Sequence, residues 1–451
     1  MFKKVLVANR GEIAVRVVRA LRELGIRSIG VYSKEDSTSL HAQLADQRLC
    51  IGEGPAKNSY LNKEQIITAA LNLEADAIHP GYGFLSENTT FVKMCEDNGI
   101  KFIGPSAQSI AVMGDKAKAK QTMKQAGVPT IPGSDGAVHS LREVEDICDK
   151  IKYPIMIKAV SGGGGRGIRY VATKDELKNA YDMCRAEGKA SFGDDSLYIE
   201  KYIEEPRHIE IQVIADEHGN CVHLFERDCS LQRRHQKLVE EAPSPFVDDE
   251  LRAKMGAASV KAAKATNYAN AGTIEFLVDK HKAFYFMEMN TRVQVEHPVT
   301  EVITGVDIVK TQIKIAMGEP LPFTQKDISI TGHAIECRIN AENPDKNFAP
   351  SPGVINSLHV PGGPGVRVDS ATYQGYAIPP YYDSMIAKLI VSGKNREEAI
   401  ARMKRALAEY LFDGITTNVD YQIELMSTEE FVSGNFNVAF IDEYNKRRNK
   451  I

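Results

Sequence analysis

The chain has 451 residues, 43% of them hydrophobic and 26% charged, so at roughly 150 residues per domain two to four domains are expected. A net charge of −4 argues against a general nucleic-acid surface. No apolar run reaches the ~18 residues that cross a bilayer, and MFKKVLVANR enters a strand-like run without a signal-peptide pattern. Seven cysteines, an odd number with no CxxC spacing, fit a reducing cytoplasm in which they pack as small hydrophobes. A soluble, cytoplasmic, multidomain α/β protein is expected.

Lys4–Ala8 is a buried-strand run. Ile13, Val17, Ala20, Leu21 and Leu24 then recur at helical spacing, and Gly25 suits the position after a helix end. Ser28–Tyr32 reads as a strand, Leu61–Leu73 as a helix and Ala77–His79 as a short strand. This alternation predicts a doubly wound parallel sheet. Asn9-Arg10-Gly11-Glu12 sits where a dinucleotide fingerprint would sit but is not GxGxxG, so no NAD site is expected. The run His79–Glu87 is a glycine-rich loop after a strand end; composition alone does not separate it from an ordinary turn.

Ser106–Ala126 reads as one helix carrying Lys116, Lys118, Lys120 and Lys124, the last three on a solvated basic face. Tyr153–Val160 is a strand that runs into Ser161-Gly162-Gly163-Gly164-Gly165-Arg166-Gly167, and a second strand, Ile168–Ala172, follows. A Walker A loop needs GxxxxGK[ST] and opens a helix. This loop joins strand to strand, so it predicts a hairpin tip whose bare N–H groups wrap phosphate oxygens. A helix near Lys174–Lys189 precedes strands at Leu197–Ile203, Ile209–Ile214 and Cys221–Glu226. Arg227–Lys237 is expected to be a polar loop whose positive charge suits an anion, although a plain surface loop would read the same. Nothing local activates Cys229, so a structural thiol is expected.

Thr273–Asp279 alternates, with Ile274, Phe276 and Val278 against Glu275 and Leu277. Ala283–Asn290 alternates too, placing Phe284, Phe286, Glu288 and Asn290 on one face. With the polar turn Asp279–Lys282 between them the two runs predict a β-hairpin. An even loop centred between His281 and Lys282 sets Glu275 opposite Glu288, with Cβ atoms about 5 Å apart. Such a pair repels unless a hard cation bridges it, and Asn290 offers a third oxygen on that face. A solvated pair on an edge strand is the plain alternative. Arg292, Gln294, Glu296 and His297 follow within six positions, joining an anion-binding group to a candidate base. Further on, Gly332–Asn340 alternates as a half-buried strand with Arg338 on its polar face; a salt bridge to Glu336 is the plain alternative there. Residues 350–392 suggest an antiparallel sheet, and Asn395 with Glu398 resembles a capping box opening a helix with Ala399, Ile400, Met403 and Leu407 on its apolar face.

The runs KAVSGGGGRGIR, EKYIEEPRHIEIQV, ERDCSLQRRHQKLVEEAPSP, GTIEFLVD and FMEMNTRVQVEHPVTE closely resemble biotin carboxylase, a family of the ATP-grasp superfamily. The likeness runs through essentially the whole chain. It implies an N-terminal Rossmann-like domain over 1–113, an ATP-grasp domain over 114–330 with a lid over about 131–203, and a C-terminal domain of mostly antiparallel sheet over 331–446. It also implies an ATP-dependent ligase that makes carboxyphosphate from bicarbonate and carboxylates biotin.

Carried over residue by residue, the resemblance assigns Lys116 and Lys158 to the ATP phosphates and Gly162, Gly163, Gly164, Gly165, Arg166 and Gly167 to a closing loop. Glu200 and the backbone of Lys201 and Ile203 would hold the adenine, with Tyr202 and Leu277 in the same ATP site. His208, Gln232 and His235 would position the nucleotide. Glu275 and Glu288, with Asn290 beside them, would bind Mg2+ or Mn2+. Lys237, Arg292, Gln294, Val295 and Arg338 would bind bicarbonate. Glu296 would be the general base, and Arg338 would stabilise the biotin enolate.

No Ala-Met-Lys-Met-like biotinylation turn occurs in the sequence, so biotin is expected on a separate carrier protein. The implied assembly is a homodimer working with a biotin carboxyl carrier protein and carboxyltransferase subunits, in acetyl-CoA carboxylase and hence fatty acid synthesis. The same reaction could serve a multi-subunit pyruvate carboxylase or another acyl-CoA carboxylase. A different ATP-grasp enzyme, joining a carboxylate to an amine, is a further reading. A non-catalytic nucleotide-binding scaffold would be expected to lack Glu296 or Arg338, and both are present.

Overall fold

Val5, Leu6 and Val7 are apolar in succession, and each is buried, as the centre strand of a covered parallel sheet requires. They lie in β1 (Lys4–Val7), followed by α1 (Gly11–Glu23), β2 (Arg27–Tyr32), β3 (Gln47–Cys50), β4 (Ala77–His79) and β5 (Lys101–Phe102). The strands are parallel in the order β3-β2-β1-β4-β5. Leu6 and Ile29 pack to one side of the sheet, Val5 and Val7 to the other. The doubly wound expectation holds. The computed structural model describes residues 1–159, 167–192 and 195–448.

The expected helix over Ser106–Ala126 is two helices, α2 (Ala107–Gly114) and α3 (Lys116–Gln125). Asp115 breaks it. Its backbone is extended, and its carboxylate accepts the N–H groups of Ala117 and Lys118 at 3.1 Å each. Local capping there outcompetes helix continuity.

β6 (Ile155–Ala159), β7 (Ile168–Val171) and β8 (Leu197–Lys201) form an antiparallel three-stranded sheet with β6 in the middle. Helices Leu141–Ile151 and Lys174–Phe192 share its core through Val144, Cys148, Leu177 and Cys184. Val160 and the expected phosphate loop Ser161–Arg166 lie outside the described residues.

The rest is organised by one antiparallel sheet of eight strands. These are β9 (Arg207–Ala215), β10 (Cys221–Arg233), β11 (Gln236–Ala242), β12 (Asn270–Val278), β13 (Phe284–Asn290), β14 (His333–Asn340), β15 (Val366–Ser370) and β16 (Met385–Gly393). Their order is β13-β12-β9-β10-β11-β14-β16-β15. The pairing of β11 with β14 carries the sheet across residue 330 into the C-terminal segment. On one face Ile209, Ile211, Val213, Ile274 and Phe276 pack against the helix Asp249–Ala265. The other face carries charge.

The expected polar loop Arg227–Lys237 is instead a hairpin made by β10 and β11, and only Arg234 and His235 form its turn. Both have φ > 0, at 51° and 65°. The sequence carries no Asn-Gly signal for such a turn, and its dense charge masks strands whose charges are paired and buried.

β14 departs from the half-buried expectation, because both of its faces are covered. Ile335, Cys337 and Ile339 enter a core with α5 (Arg396–Glu409), numbered after α4 (His297–Thr304), while Glu336 on the opposite face is also buried. Asn395 caps α5 through the N–H of Glu398 at 2.9 Å, and Glu398 returns to the N–H of Lys394.

Candidate active site

Strand register aligns charged residues across the polar face. Glu288 pairs with Glu275, Glu275 with Glu210, and Glu210 with Arg227. Arg227 is fully buried and donates to Glu210, Gln212, Thr300 and Thr273. Lys237, from β11, reaches over the row. Its Nζ lies 2.6 Å from Glu210, 3.0 Å from Glu275 and 2.6 Å from Glu296. Glu296, at the N-terminus of α4, is buried, and its second oxygen accepts from Arg338 at 2.9 Å. Arg338 also donates to Glu240 at 2.6 Å and has no bond to Glu336.

These contacts set the ionisation. Burial opposes the charge of Lys237, but Glu210, Glu296 and Glu275 outweigh it and hold the ammonium charged well above its ordinary range. Burial would likewise raise Glu296, but Lys237 and Arg338 pull its carboxyl down, so it is ionised at neutral pH. Glu275 is held down against burial by Lys237 and then by His208. His208, 3.2 Å from Glu275, is pushed up to about 9 against burial by Glu275 and Glu210. Glu288 opens onto solvent, yet the surrounding walls, and then Glu275, raise its carboxyl, while Lys116 pulls it down.

A divalent cation would suit Glu275 with Glu288, two carboxylates facing one another on one side, with the proton affinity of Glu288 raised. His208, Glu210 and Glu275 also bring ligand atoms within 4.8 Å of one another, as do Glu210, Cys229 and Glu296. Neither triplet suits a metal. His208 Nε2 already faces the carboxylate of Glu275 at 3.2 Å, and Cys229 is a buried thiol pushed well above its ordinary range by burial and then by Glu210. The expectation of a structural Cys229 stands.

The hairpin carrying the carboxylates differs in phase from its expectation. Val278 pairs with Phe284 and Phe276 with Phe286, whereas Glu275 pairs with Glu288, so Met287 is an inserted residue in β13. Phe286 therefore turns into the core with Met289, opposite in face to Glu288. Asn290 gives its amide nitrogen, not its oxygen, to Glu275 at 2.9 Å; the oxygen accepts from Arg292 at 3.0 Å. Arg292 also donates to Glu87 at 2.8 Å and Gln294 at 2.9 Å, and Gln294 donates to Glu275 at 3.2 Å.

The remaining expected residues spread around this centre. Lys158 bonds Glu200 at 2.6 Å, and Lys120 approaches the same carboxylate at 3.5 Å. The solvated reading of Lys120 is therefore wrong: the side chain reaches from α3 to Glu200 on β8 and is only 27% exposed. Lys118 and Lys124 do point outward, to Asp115 and Asp135. Lys201 turns its side chain to the carbonyls of Lys152 and Tyr153, Tyr202 is exposed with its ring edge-on to Tyr170, and Ile203 is buried. The Gln232 amide lies 3.0 Å from the His208 ring, and Leu277 is half-buried. His235 is exposed at the hairpin tip, away from this network. Gly167, just before β7, donates its N–H to Glu187.

Sequence reasoning passed over Glu210, Arg227, Glu240, Glu87 and Lys388. Glu210 had a signal: His208, Glu210 and Gln212 alternate with Ile209, Ile211 and Val213, which marks a polar face on an apolar strand. Lys388 interrupts the apolar run MIAKLIV, a second signal. Glu87 had none, because its partner Arg292 is 205 residues away.

Three family models match the chain. "Biotin carboxylase, N-terminal domain" covers residues 1–110, "Carbamoyl-phosphate synthase L chain, ATP binding domain" 115–324, and "Biotin carboxylase C-terminal domain" 336–443. The chain is 56% identical over 445 residues to biotin carboxylase 1 of Bacillus subtilis, covering 98% of this chain and 99% of that protein. It is also 56% identical over 446 residues to a pyruvate carboxylase subunit of Methanothermobacter thermautotrophicus, covering 99% and 91%. Among solved structures, the biotin carboxylase domain dimer of Hydrogenobacter thermophilus 2-oxoglutarate carboxylase, in complex with MgADP, ADP and bicarbonate, superposes with a TM-score of 0.89 at 53% identity over 98% of each chain.

Proposed function

The chain belongs to the biotin carboxylase family of ATP-dependent ligases, and from that premise we propose that it uses ATP and bicarbonate to carboxylate biotin carried outside these 451 residues. One observation carries the proposal: an ionised, buried Glu296 is clamped between Lys237 and Arg338. A charged carboxylate flanked by two cations can take the bicarbonate proton while the cations hold the anion.

In this reading Lys237, Arg292, Gln294 and the Val295 N–H bind bicarbonate. Lys116 and Lys158 neutralise the ATP phosphates, and Glu200, Lys201, Tyr202, Ile203, His208, Gln232, His235 and Leu277 line the nucleotide site. Lys158 would leave Glu200 to do so. Glu275 and Glu288 would hold Mg2+ or Mn2+, which neutralises phosphate charge during transfer; Asn290 would join them only with its amide turned over. Arg338 stabilises the biotin enolate. Residues 1–113, 114–330 and 331–446 act as scaffold, ATP-binding and biotin-facing regions.

We assign the activity to acetyl-CoA carboxylase, with a homodimer serving a biotin carboxyl carrier protein and carboxyltransferase subunits. Seven unpaired cysteines support a cytoplasmic setting. Among the described residues no helix is long and apolar enough to cross a membrane. The likeness to a pyruvate carboxylase subunit supports a second reading, in which the final acceptor is a keto acid. The test of the chemistry is ADP release in degassed buffer. It should depend on bicarbonate and rise strongly with free biotin; release indifferent to bicarbonate rejects the proposal. The biotinylated protein that co-purifies identifies the acceptor.

A further inference from the structure

Lys388 is a lysine without solvent exposure, placed in the middle of β16. Its cross-strand partners are Arg338 on β14 and Asp369 on β15. Burying an ammonium is costly unless it is paired and hydrogen-bonded. The nearest group to Nζ is neutral: the carbonyl oxygen of Val295, at 2.8 Å. Glu12 of α1 follows at 3.2 Å and Asp369 at 3.9 Å. The lysine therefore touches the N-terminal helix, the C-terminal strands and the segment that opens α4.

That carbonyl belongs to the peptide bond joining Val295 to Glu296. The flanking carbonyls are held locally. Gln294 O accepts from the His297 ring at 2.8 Å, and Glu296 O accepts from the Val299 N–H at 3.3 Å. Among the described residues no backbone N–H reaches the oxygen of Val295. A charged donor from another element holds it instead, and such a bond is roughly twice as strong as a neutral one.

We propose that Lys388 is a positioning residue for the bicarbonate step: by fixing the Val295–Glu296 peptide it sets the backbone of Glu296 and so directs the Glu296 carboxylate at the anion. This rests on the role given to Glu296 under the proposed function. If Lys388 served only as a counter-charge to Glu12 and Asp369, losing one of those charges would matter as much as losing the lysine.

The test measures bicarbonate-dependent ATP cleavage, with free biotin, by wild type, Lys388→Met and Asp369→Asn. Lys388→Met keeps the length of the side chain and removes the donor. It should raise KM for bicarbonate by roughly tenfold or more and lower kcat, while KM for ATP stays within about twofold. Asp369→Asn should leave KM for bicarbonate near wild type. A Lys388→Met enzyme whose KM for bicarbonate is within about twofold of wild type overturns the inference, as does an equal rise in Asp369→Asn. If Lys388→Met does not fold, the double variant Glu12→Gln/Lys388→Met removes the ion pair as a unit and is judged by the same criterion. A wild-type protein without bicarbonate dependence rejects the proposed function and this inference with it. A bicarbonate-dependent wild type with an unaffected lysine variant rejects this inference alone.

Discussion

Glu275 stands opposite Glu288 only because β13 carries an extra residue, Met287, between them and the turn. From the turn, Val278–Phe284 and Phe276–Phe286 run in one register; beyond Met287 the pairing steps by one. The bulge lets Phe286 and Met289 both reach the core while Glu288 stays on the charged face. Two carboxylates directly opposed destabilise a sheet, and the hairpin keeps them where a cation can join them.

Glu288→Lys should therefore abolish ATP cleavage without lowering the melting temperature. A lysine there would meet Glu275 as a salt bridge and occupy the cation's place. ATP cleavage across a magnesium titration, beside a thermal melt, checks this. Normal turnover at ordinary magnesium would remove the cation from the hairpin.

Lys120→Met should raise KM for ATP by about fivefold and leave kcat nearly unchanged. Its ammonium is one of two beside Glu200, its nitrogen is buried, and at 3.5 Å it is the looser of the two partners. Steady-state kinetics with varied ATP decides it; an unchanged KM would return Lys120 to the solvated face.

Asp36→Asn should reduce stability at pH 6 by about 2 kcal/mol, with the gap narrowing below pH 4. Asp36 is buried beneath Arg10, which bonds it at 2.6 and 2.8 Å, and Tyr60. Burial alone would raise its carboxyl, but Arg10 outweighs burial and holds it down at about 2 from an ordinary 3.8. A depressed carboxyl contributes stability above its unfolded value and loses it as pH falls toward the folded one. Urea unfolding of both proteins at pH 6 and pH 3 measures the gap. A constant gap would mean that shape, not charge, is what Asp36 supplies.

How much of this was legible can be argued from single residues. Period-two alternation put Glu275 and Arg338 on polar faces, because alternation is a local property of the strand. The bulge at Met287 was not legible: which residue a strand skips depends on the core that Phe286 fills. The β10–β11 hairpin was hidden for a related reason. Arg227 and Asp228 look like loop residues until their partners Glu210 and Arg207 arrive from a neighbouring strand. Asp115 could have been read as a cap, being a helix-breaking residue before an alanine- and lysine-rich run. The clamp on Glu296 joins residues 237, 296 and 338 from two strands and a helix end, and no spacing in the sequence encodes it.

Arg338 separates the two halves of the proposed reaction. Its guanidinium joins Glu240 to Glu296, and Lys237 holds the other oxygen of Glu296. Removing the arginine leaves Glu296 with one cation, enough to keep it ionised as a base. It leaves nothing to meet the negative charge that develops on biotin. A donor that acts mainly in the transition state lowers the rate more than it weakens binding, and losing one typically costs about 10²–10³. Arg338→Gln should therefore lose biotin carboxylation by at least about that factor. ATP synthesis from ADP and carbamoyl phosphate needs no charge on biotin and should fall much less. Both activities are measured on one folded preparation. Equal losses would place Arg338 on the bicarbonate side, as a support for Glu296, and would end its assignment to biotin.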